Sequence, residues 1–212
     1  MRPTGGSPLR TAPPHFEHRG RTESARWHWL SRGKKLVELG GAQAQWPYEA
    51  LELARNADVV LAESELCEAV FGVAPASFEA ALGPGPAAVL VTPFSLDGPY
   101  AGYRAGDLGI HARGGWCNII GDPGKTPLRP GYDMIHRLQG VSALVAALAS
   151  LRSRDRGGLA PFAQVDGQAV AATMTVAPWL MKRMLGTEQN RRLNDWLQGG
   201  VMQCSDGWAG CT

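Results

Sequence analysis

The sequence has no Cys-x-x-Cys pair, and its four cysteines, Cys67, Cys117, Cys204 and Cys211, lie far apart. That excludes a thioredoxin-like redox motif, and a chain of 212 residues has no need of disulfide staples. Scattered thiols suit a reducing compartment. The opening stretch, MRPTGGSPLRTAPPHFEHRGR, has no apolar core and is not read as a secretory signal. The most apolar run, VSALVAALASL, falls short of the roughly 20 residues that span a bilayer. Charge of one sign is not concentrated in a block, and the net charge is only +2. Charge alone therefore points to no nucleic-acid partner, although a basic pocket for phosphates fits such a balance. There is no internal repeat. These absences lead us to expect a cytoplasmic protein with neither a membrane nor a nucleic acid as partner.

What is present is an apolar content of 44%, enough for one sizeable core, so a single domain over 1–212 is the expectation. Glycine (27) and proline (15) are frequent and fall in clusters, at 5–14, 83–86, 98–115, 121–131 and 157–161. Glycine-rich loops either turn tightly or let the backbone approach another group closely.

Residues 1–28 show no period and are expected to be irregular. Lys35–Leu39 reads as a short strand, and Trp46–Asn56 has helical spacing. Asp58–Ala62 and Ala87–Thr92 are compact apolar runs suited to buried parallel strands. Between them, Glu63–Phe71 and Ser77–Leu82 read as helices, the second capped by Ser77. A helix is expected over 105–119, and the longest over 133–154, where Leu138, Val141, Leu144, Val145, Leu148 and Leu151 keep the helical period. Phe162–Val165 reads as a strand and 166–185 as a further helix. Alternating strands and helices define an α/β protein with a Rossmann-like parallel sheet and flanking helices.

Three segments, Val91–Asp107, Gly121–Arg129 and Gly140–Arg156, together resemble segments of the family III CoA-transferases. Val91–Asp107 (VTPFSLDGPYAGYRAGD) resembles the family's T-P-F-G-x-x-G-P-Y-x-x-x-x-A-x-D strand end and glycine loop. Gly121–Arg129 (GDPGKTPLR) is similar to its G-x-P-x-x-P-P-x-R segment. Gly140–Arg156 (GVSALVAALASLRSRDR) is similar to its alanine-rich helix and basic turn. Shorter matches are Gly5–Arg10 (GGSPLR), Leu30–Lys35 (LSRGKK), Ala57–Leu61 (ADVVL) and Cys204–Trp208 (CSDGW), all in the family's order. The resemblance implies a partial large domain of that fold. A first strand and helix of about 35 residues and the second, smaller family domain are expected to be absent.

The resemblance also implies a chemistry. Family members move CoA between an acyl-CoA and a carboxylic acid. An Asp attacks the thioester to give a mixed anhydride, and CoA thiolate then forms an enzyme-bound thioester. Glycine-loop N–H groups stabilise the developing oxyanion. CoA is then a substrate and no cofactor is bound covalently; the partners are an acyl-CoA, a carboxylate, and a second copy or another chain, since the family forms homodimers. The family's nucleophile lies in an A-D-Y-x-x-G pattern, and alignment on Gly140 puts His136 at the Asp position, with Asp133 three residues earlier as the alternative. An imidazole cannot form the anhydride, although it can be acylated or act as a base. Read on their own, Asp133 is a natural N-cap and His136 a solvent-facing residue. Leu30, Lys34 and the Gly98-Pro99-Tyr100 loop match family positions beside CoA, while Lys34 by itself also reads as a solvated lysine. Glu63-Ser64-Glu65 stands where the family has Asn-Phe-Arg near the adenine and is expected to weaken CoA binding. Gly106, not His, precedes Asp107, which argues against racemase chemistry; His111 reads as helix surface. His15 and His18 lack a third ligand nearby, so no metal site is expected. The functions kept open are a CoA-transferase, a non-catalytic relative or subunit, and a His-dependent acyl-CoA hydrolase.

Overall fold

The structure, a computed structural model, describes residues 7–37, 46–158, 162–188, 190–191 and 201–210. The chain divides into two compact units, 1–90 with 146–163 and 91–145 with 164–212.

Of residues 1–28, expected to be irregular, the described part, 7–28, contains regular secondary structure. A 3-10 turn at Pro8–Thr11, capped by the Ser7 hydroxyl, leads into a hairpin of β1 (His15–His18) and β2 (Arg21–Ser24). Ser24 then caps α1 (Ala25–Ser31), its hydroxyl accepting from the Trp27 N–H at 3.2 Å. The hairpin has no clean polar–apolar alternation because most of its side chains face solvent. That removes the period-two signal by which strands are read. Lys35–Val37 are not a strand, and Glu38 and Leu39 lie outside the described residues.

The rest of the first unit follows α/β logic. Helix α2 (Trp46–Arg55) buries Ala50 and Ala54, and its Arg55 guanidinium donates to the Ala81 carbonyl at 2.9 and 3.1 Å. Strand β3 (Val59–Glu63) is followed by a short α3 (Ser64–Leu66) and a π-helical turn at Cys67–Phe71. Helix α4 (Phe78–Leu82) follows a 3-10 turn that contains Ser77, whose side chain makes no capping bond. Strand β4 (Ala87–Thr92) completes the βαβ sequence. Phe78, Cys67, Leu82 and the strand residues Ala87, Val89 and Leu90 form the core. Cys67 is fully buried, and burial pushes its thiol up to about 11, so it stays protonated and unreactive.

The parallel sheet has three strands in the order β3-β4-β5, with β5 at Ala163–Asp166. Strand β4 is central and nearly all buried, as its unbroken apolar run requires. Strand β3 is not fully buried as expected. It occupies an edge position in this sheet, and its burial alternates, leaving Leu61 54% exposed.

In the second unit, the helix expected over 105–119 is two: α5 (Asp107–Arg113) and α6 (Trp116–Ile119), separated at Gly114-Gly115. A Cβ on Gly114 would meet the Ala171 Cβ at 2.4 Å, so the close packing there requires glycine. The long helix α7 runs from Met134 to Asp155, and α8 (Gly167–Met174) and α9 (Val176–Leu185) replace the single helix expected over 166–185. The Asp166 carboxylate caps α8 at 2.7 Å. A last hairpin pairs β6 (Val201–Cys204) with β7 (Gly207–Gly210).

Helix α7 keeps its expected period but buries the opposite stripe. Ile135, Gln139, Ala143, Ala147 and Ser150 are buried, while Val141, Leu144, Val145 and Leu148 are each more than half exposed. Apart from Ile135, these buried positions carry small or polar side chains, so the larger apolar residues do not mark the buried side. Among the described residues α7 is the one helix long and apolar enough, by length and composition alone, to cross a membrane; 28% of its most apolar stretch is buried in the protein. Ala143→Leu should destabilise the fold by roughly 1–3 kcal/mol through overpacking, whereas Leu148→Gln should change stability by no more than about 0.5 kcal/mol, as for an exposed site. Urea denaturation of the two variants checks the assignment, and equal losses would contradict it.

Candidate functional site at the start of the long helix

The glycine loop after β4 ends at Asp107, the first residue of α5. Its carboxylate is 7% exposed and is held from three directions. Oδ2 accepts from Arg129 Nη1 at 2.8 Å, and Oδ1 accepts from the Ile135 backbone N–H at 3.2 Å. His111 Nε2, one helical turn on, stands 3.2 Å from Oδ2. Asp107 closes the glycine-loop segment and Arg129 closes the second matched segment, while Ile135 lies in the first turn of α7. One buried carboxylate thus joins three separate stretches of chain to the place where the candidate nucleophile stands. A charge-assisted pair of this kind is stronger than a neutral hydrogen bond.

His111 corrects an expectation. It is fully buried, not on the helix surface, and meets the Trp116 ring edge-on at 6.1 Å. Its approach to Asp107 is not aligned for a full hydrogen bond, and neither ring nitrogen has another partner among the described residues. Burial, the largest influence, pushes the imidazole below its ordinary value of 6.5; the Asp107 charge pulls upward and is overcome, with Arg129 adding to the depression. The ring is therefore neutral near pH 7. The Asp-x-x-x-His spacing, which places both side chains on one helix face, is the sequence signal that could have revealed this pair.

The backbone entering α7 is unusual. Tyr132 and Asp133 have φ of +64° and +49°, the left-handed region that residues with a Cβ rarely adopt. Asp133 directly precedes the helix, and its carbonyl accepts from the Arg137 N–H at 3.2 Å, while the Arg137 guanidinium donates to the Tyr132 carbonyl at 2.7 Å. The Asp133 carboxylate is 32% exposed and lies 3.7 Å from Arg129 Nη1. Arg129 thus stands between two carboxylates, one buried and one accessible. His136 is exposed on the first turn of α7, three residues along. The buried Gln139 amide donates to the Thr92 carbonyl at 2.9 Å, and the Gln164 amide reaches the Thr92 hydroxyl at 3.1 Å, so polar side chains also fix the end of β4.

The other candidate residues are divided. In the second unit, Gly98 (φ +89°) and Pro99 are exposed on the glycine loop. Tyr100 packs near Phe94 and Tyr103, and the Arg113 guanidinium lies 4.1 Å from its ring centroid and bonds its hydroxyl. In the first unit, Leu30 lies in the last turn of α1 and Lys34 follows the helix, both exposed. Glu63 and Glu65 are exposed as well. His15 and His18 stand on β1, with His15 Nε2 3.1 Å from the Thr11 carbonyl. Among the described residues no group of three or more His, Cys, Asp or Glu side chains is placed to hold a metal ion.

The model of CoA-transferase family III matches residues 2–211, and the chain belongs to that family. The succinate–glutarate CoA-transferase of Agrobacterium fabrum is 27% identical over 174 residues, which are 79% of this chain and 43% of that protein. The crystal structure of a CAIB/BAIF family protein from Brucella suis has a TM-score of 0.74 at 21% identity, over 94% of this chain and 54% of the other. The orthorhombic form of Rv3272 from Mycobacterium tuberculosis has a TM-score of 0.66 at 26% identity, over 85% and 50% of the two chains. The chain spans about half the length of these relatives.

The buried imidazole makes stability depend on pH with a definite sign. The unfolded chain takes up a proton near pH 6.5 that the folded His111 resists, so stability should fall as pH drops below that value. The slope is at most about 1.4 kcal/mol per pH unit for one proton. Urea denaturation of the wild type and His111→Gln between about pH 5 and pH 7.5 should show a smaller acid loss in the variant. An equal or larger loss in the variant would remove His111 from the explanation.

Proposed function

We propose that this chain binds acyl-CoA thioesters in the manner of its family but does not carry CoA transfer through His136. The observation that carries this reading is the exposed imidazole at the first turn of α7, at the position the family pattern gives to a carboxylate. Transfer needs a carboxylate oxygen to attack the thioester carbonyl and expel CoA thiolate, leaving an anhydride. The thiolate then attacks that anhydride and releases the acyl group as a carboxylate. An imidazole that attacks the thioester carbonyl instead expels CoA thiolate and gives an acyl-imidazole, which water hydrolyses to the free acid, so the CoA bond is not conserved. The glycine loop with Gly98 and Pro99 is the natural seat for the thioester carbonyl, and Leu30 and Lys34 remain the proposed CoA contacts.

A second reading, transfer by Asp133, is favoured by the accessible carboxylate beside Arg129 at the mouth of a left-handed turn. Arg129 would position that carboxylate beside the start of α7. The exposed stripe Val141, Leu144, Val145 and Leu148 supports association with a second chain, as a homodimer or with another subunit.

Incubation with an acyl-CoA, followed by hydroxylamine or borohydride quenching and mass-spectrometric mapping, separates these readings. The expected result is no carboxylate adduct in the wild type and a trapped adduct at position 136 in His136→Asp. An adduct on Asp133 in the wild type would establish the second reading and overturn the first. Acylation of His136 itself, with free acid released, would identify a hydrolase.

A further inference from the structure

Two side chains converge on one oxygen of Asp107, and only one of them is aligned to bond it. Arg129 Nη1 donates to Oδ2 at 2.8 Å, while His111 Nε2 stands 3.2 Å from the same atom without a hydrogen bond. Both imidazole nitrogens are buried and have no hydrogen-bond partner among the described residues, an unfavourable state for polar atoms out of reach of water. The neutral ring thus yields the shared oxygen to the guanidinium.

The two rivals differ in freedom of movement. His111 is fully enclosed, with the Trp116 ring of α6 edge-on at 6.1 Å and α8 packed against α5, where a Cβ on Gly167 would meet Ile110 Cδ1 at 2.8 Å. Arg129 is 42% exposed, and its Nη1 already lies 3.7 Å from a second carboxylate oxygen, Oδ1 of Asp133. A proton on His111 changes the balance between them. The charged ring donates from both nitrogens, so Nε2 then carries a hydrogen for Oδ2. It also places a second cation beside the guanidinium, and of two cations that repel, the one with access to solvent can withdraw. Asp107 favours the charged ring, while Arg129 and His136, at the start of α7, oppose it; α8 carries no ionisable side chain. Burial opposes it most, so the ring charges below pH 6.5.

We propose that His111 is a positioning residue whose proton decides which carboxylate Arg129 clasps: Asp107 when the ring is neutral, Asp133 when it is charged. The same proton lets His111 bond Asp107, which keeps its hold on the Ile135 N–H while the arginine changes partner. Asp133 directly precedes α7 and is the carboxylate of the second functional reading, so the handover alters what stands beside that group. It needs no ligand, and its test is independent of acyl-CoA binding.

NMR titration of the His111 ring in the full chain gives the pH at which it charges, and crystal structures at about pH 7.5 and about pH 5 show where Arg129 stands. The ring should take up its proton below pH 6.5. At the higher pH Arg129 should bond Asp107; at the lower, its guanidinium should lie within about 3.2 Å of an Asp133 oxygen and beyond about 3.5 Å from Asp107 Oδ2. In His111→Gln, Arg129 should stay on Asp107 at both pH values. Asp133→Asn removes the receiving charge and should lower the pH at which His111 charges; an unchanged midpoint would remove Asp133 from the device. A charged ring with Arg129 still on Asp107 overturns the proposal, as does a ring that stays neutral until circular dichroism shows the chain unfolding. Movement of Arg129 in His111→Gln would assign the controlling proton to another group, His136 first, and overturn it as well.

Discussion

The arrangement of the second unit depends on one buried carboxylate. Asp107 has little access to water, so each of its lone pairs needs a protein partner or exacts a desolvation cost of about 1–3 kcal/mol. It finds a guanidinium in Arg129 and a backbone N–H at Ile135, and stands beside a neutral imidazole in His111. The Ile135 bond satisfies one of the amide groups that a helix start leaves without an internal partner. Arg129 is 42% exposed, so its pair with Asp107 is partly screened and contributes less than its geometry alone suggests. The constraint lies in the combination: a glycine loop, a proline-flanked arginine and the first turn of α7 meet at one point. The left-handed turn at Tyr132 and Asp133 persists within that restraint, as strained backbone does when its surroundings over-determine it.

Much of the architecture was legible in the sequence. The unbroken apolar run of β4 reports a strand covered on both faces, and the period of α7 reports a helix of about its true length. The unread features had physical causes. The N-terminal hairpin is exposed on both faces, so burial left no alternating pattern in it. The buried side of α7 carries mostly small and polar side chains, so the positions of leucine and valine do not reveal it. Gly114 divides the segment expected as one helix because it must pack against Ala171, a tertiary requirement.

The candidate site divides in the same way. Asp107 and Arg129 were visible as the last residues of two matched segments, but their 2.8 Å contact depends on the fold. His111 was misjudged because an i, i+4 spacing shows which face a side chain shares, not whether that face is covered. The pair at the α7 start is better explained by chemistry than by position alone. An imidazole and a carboxylate, three residues apart, offer different covalent outcomes from the same thioester. The carboxylate clasp holds the start of α7, the turn on which both groups stand.

Amide hydrogen exchange at Ile135 measures that positioning most directly. If Asp107 holds the first turn of α7, the Ile135 amide is strongly protected in the native chain, although a helix start ordinarily exchanges quickly. Asp107→Ala should then release it, by about 10-fold or more in exchange rate, while the amides in the middle of α7 keep most of their protection. A rapidly exchanging Ile135 amide in the wild type, or one unchanged in Asp107→Ala, would contradict the claim that this carboxylate sets the start of the helix.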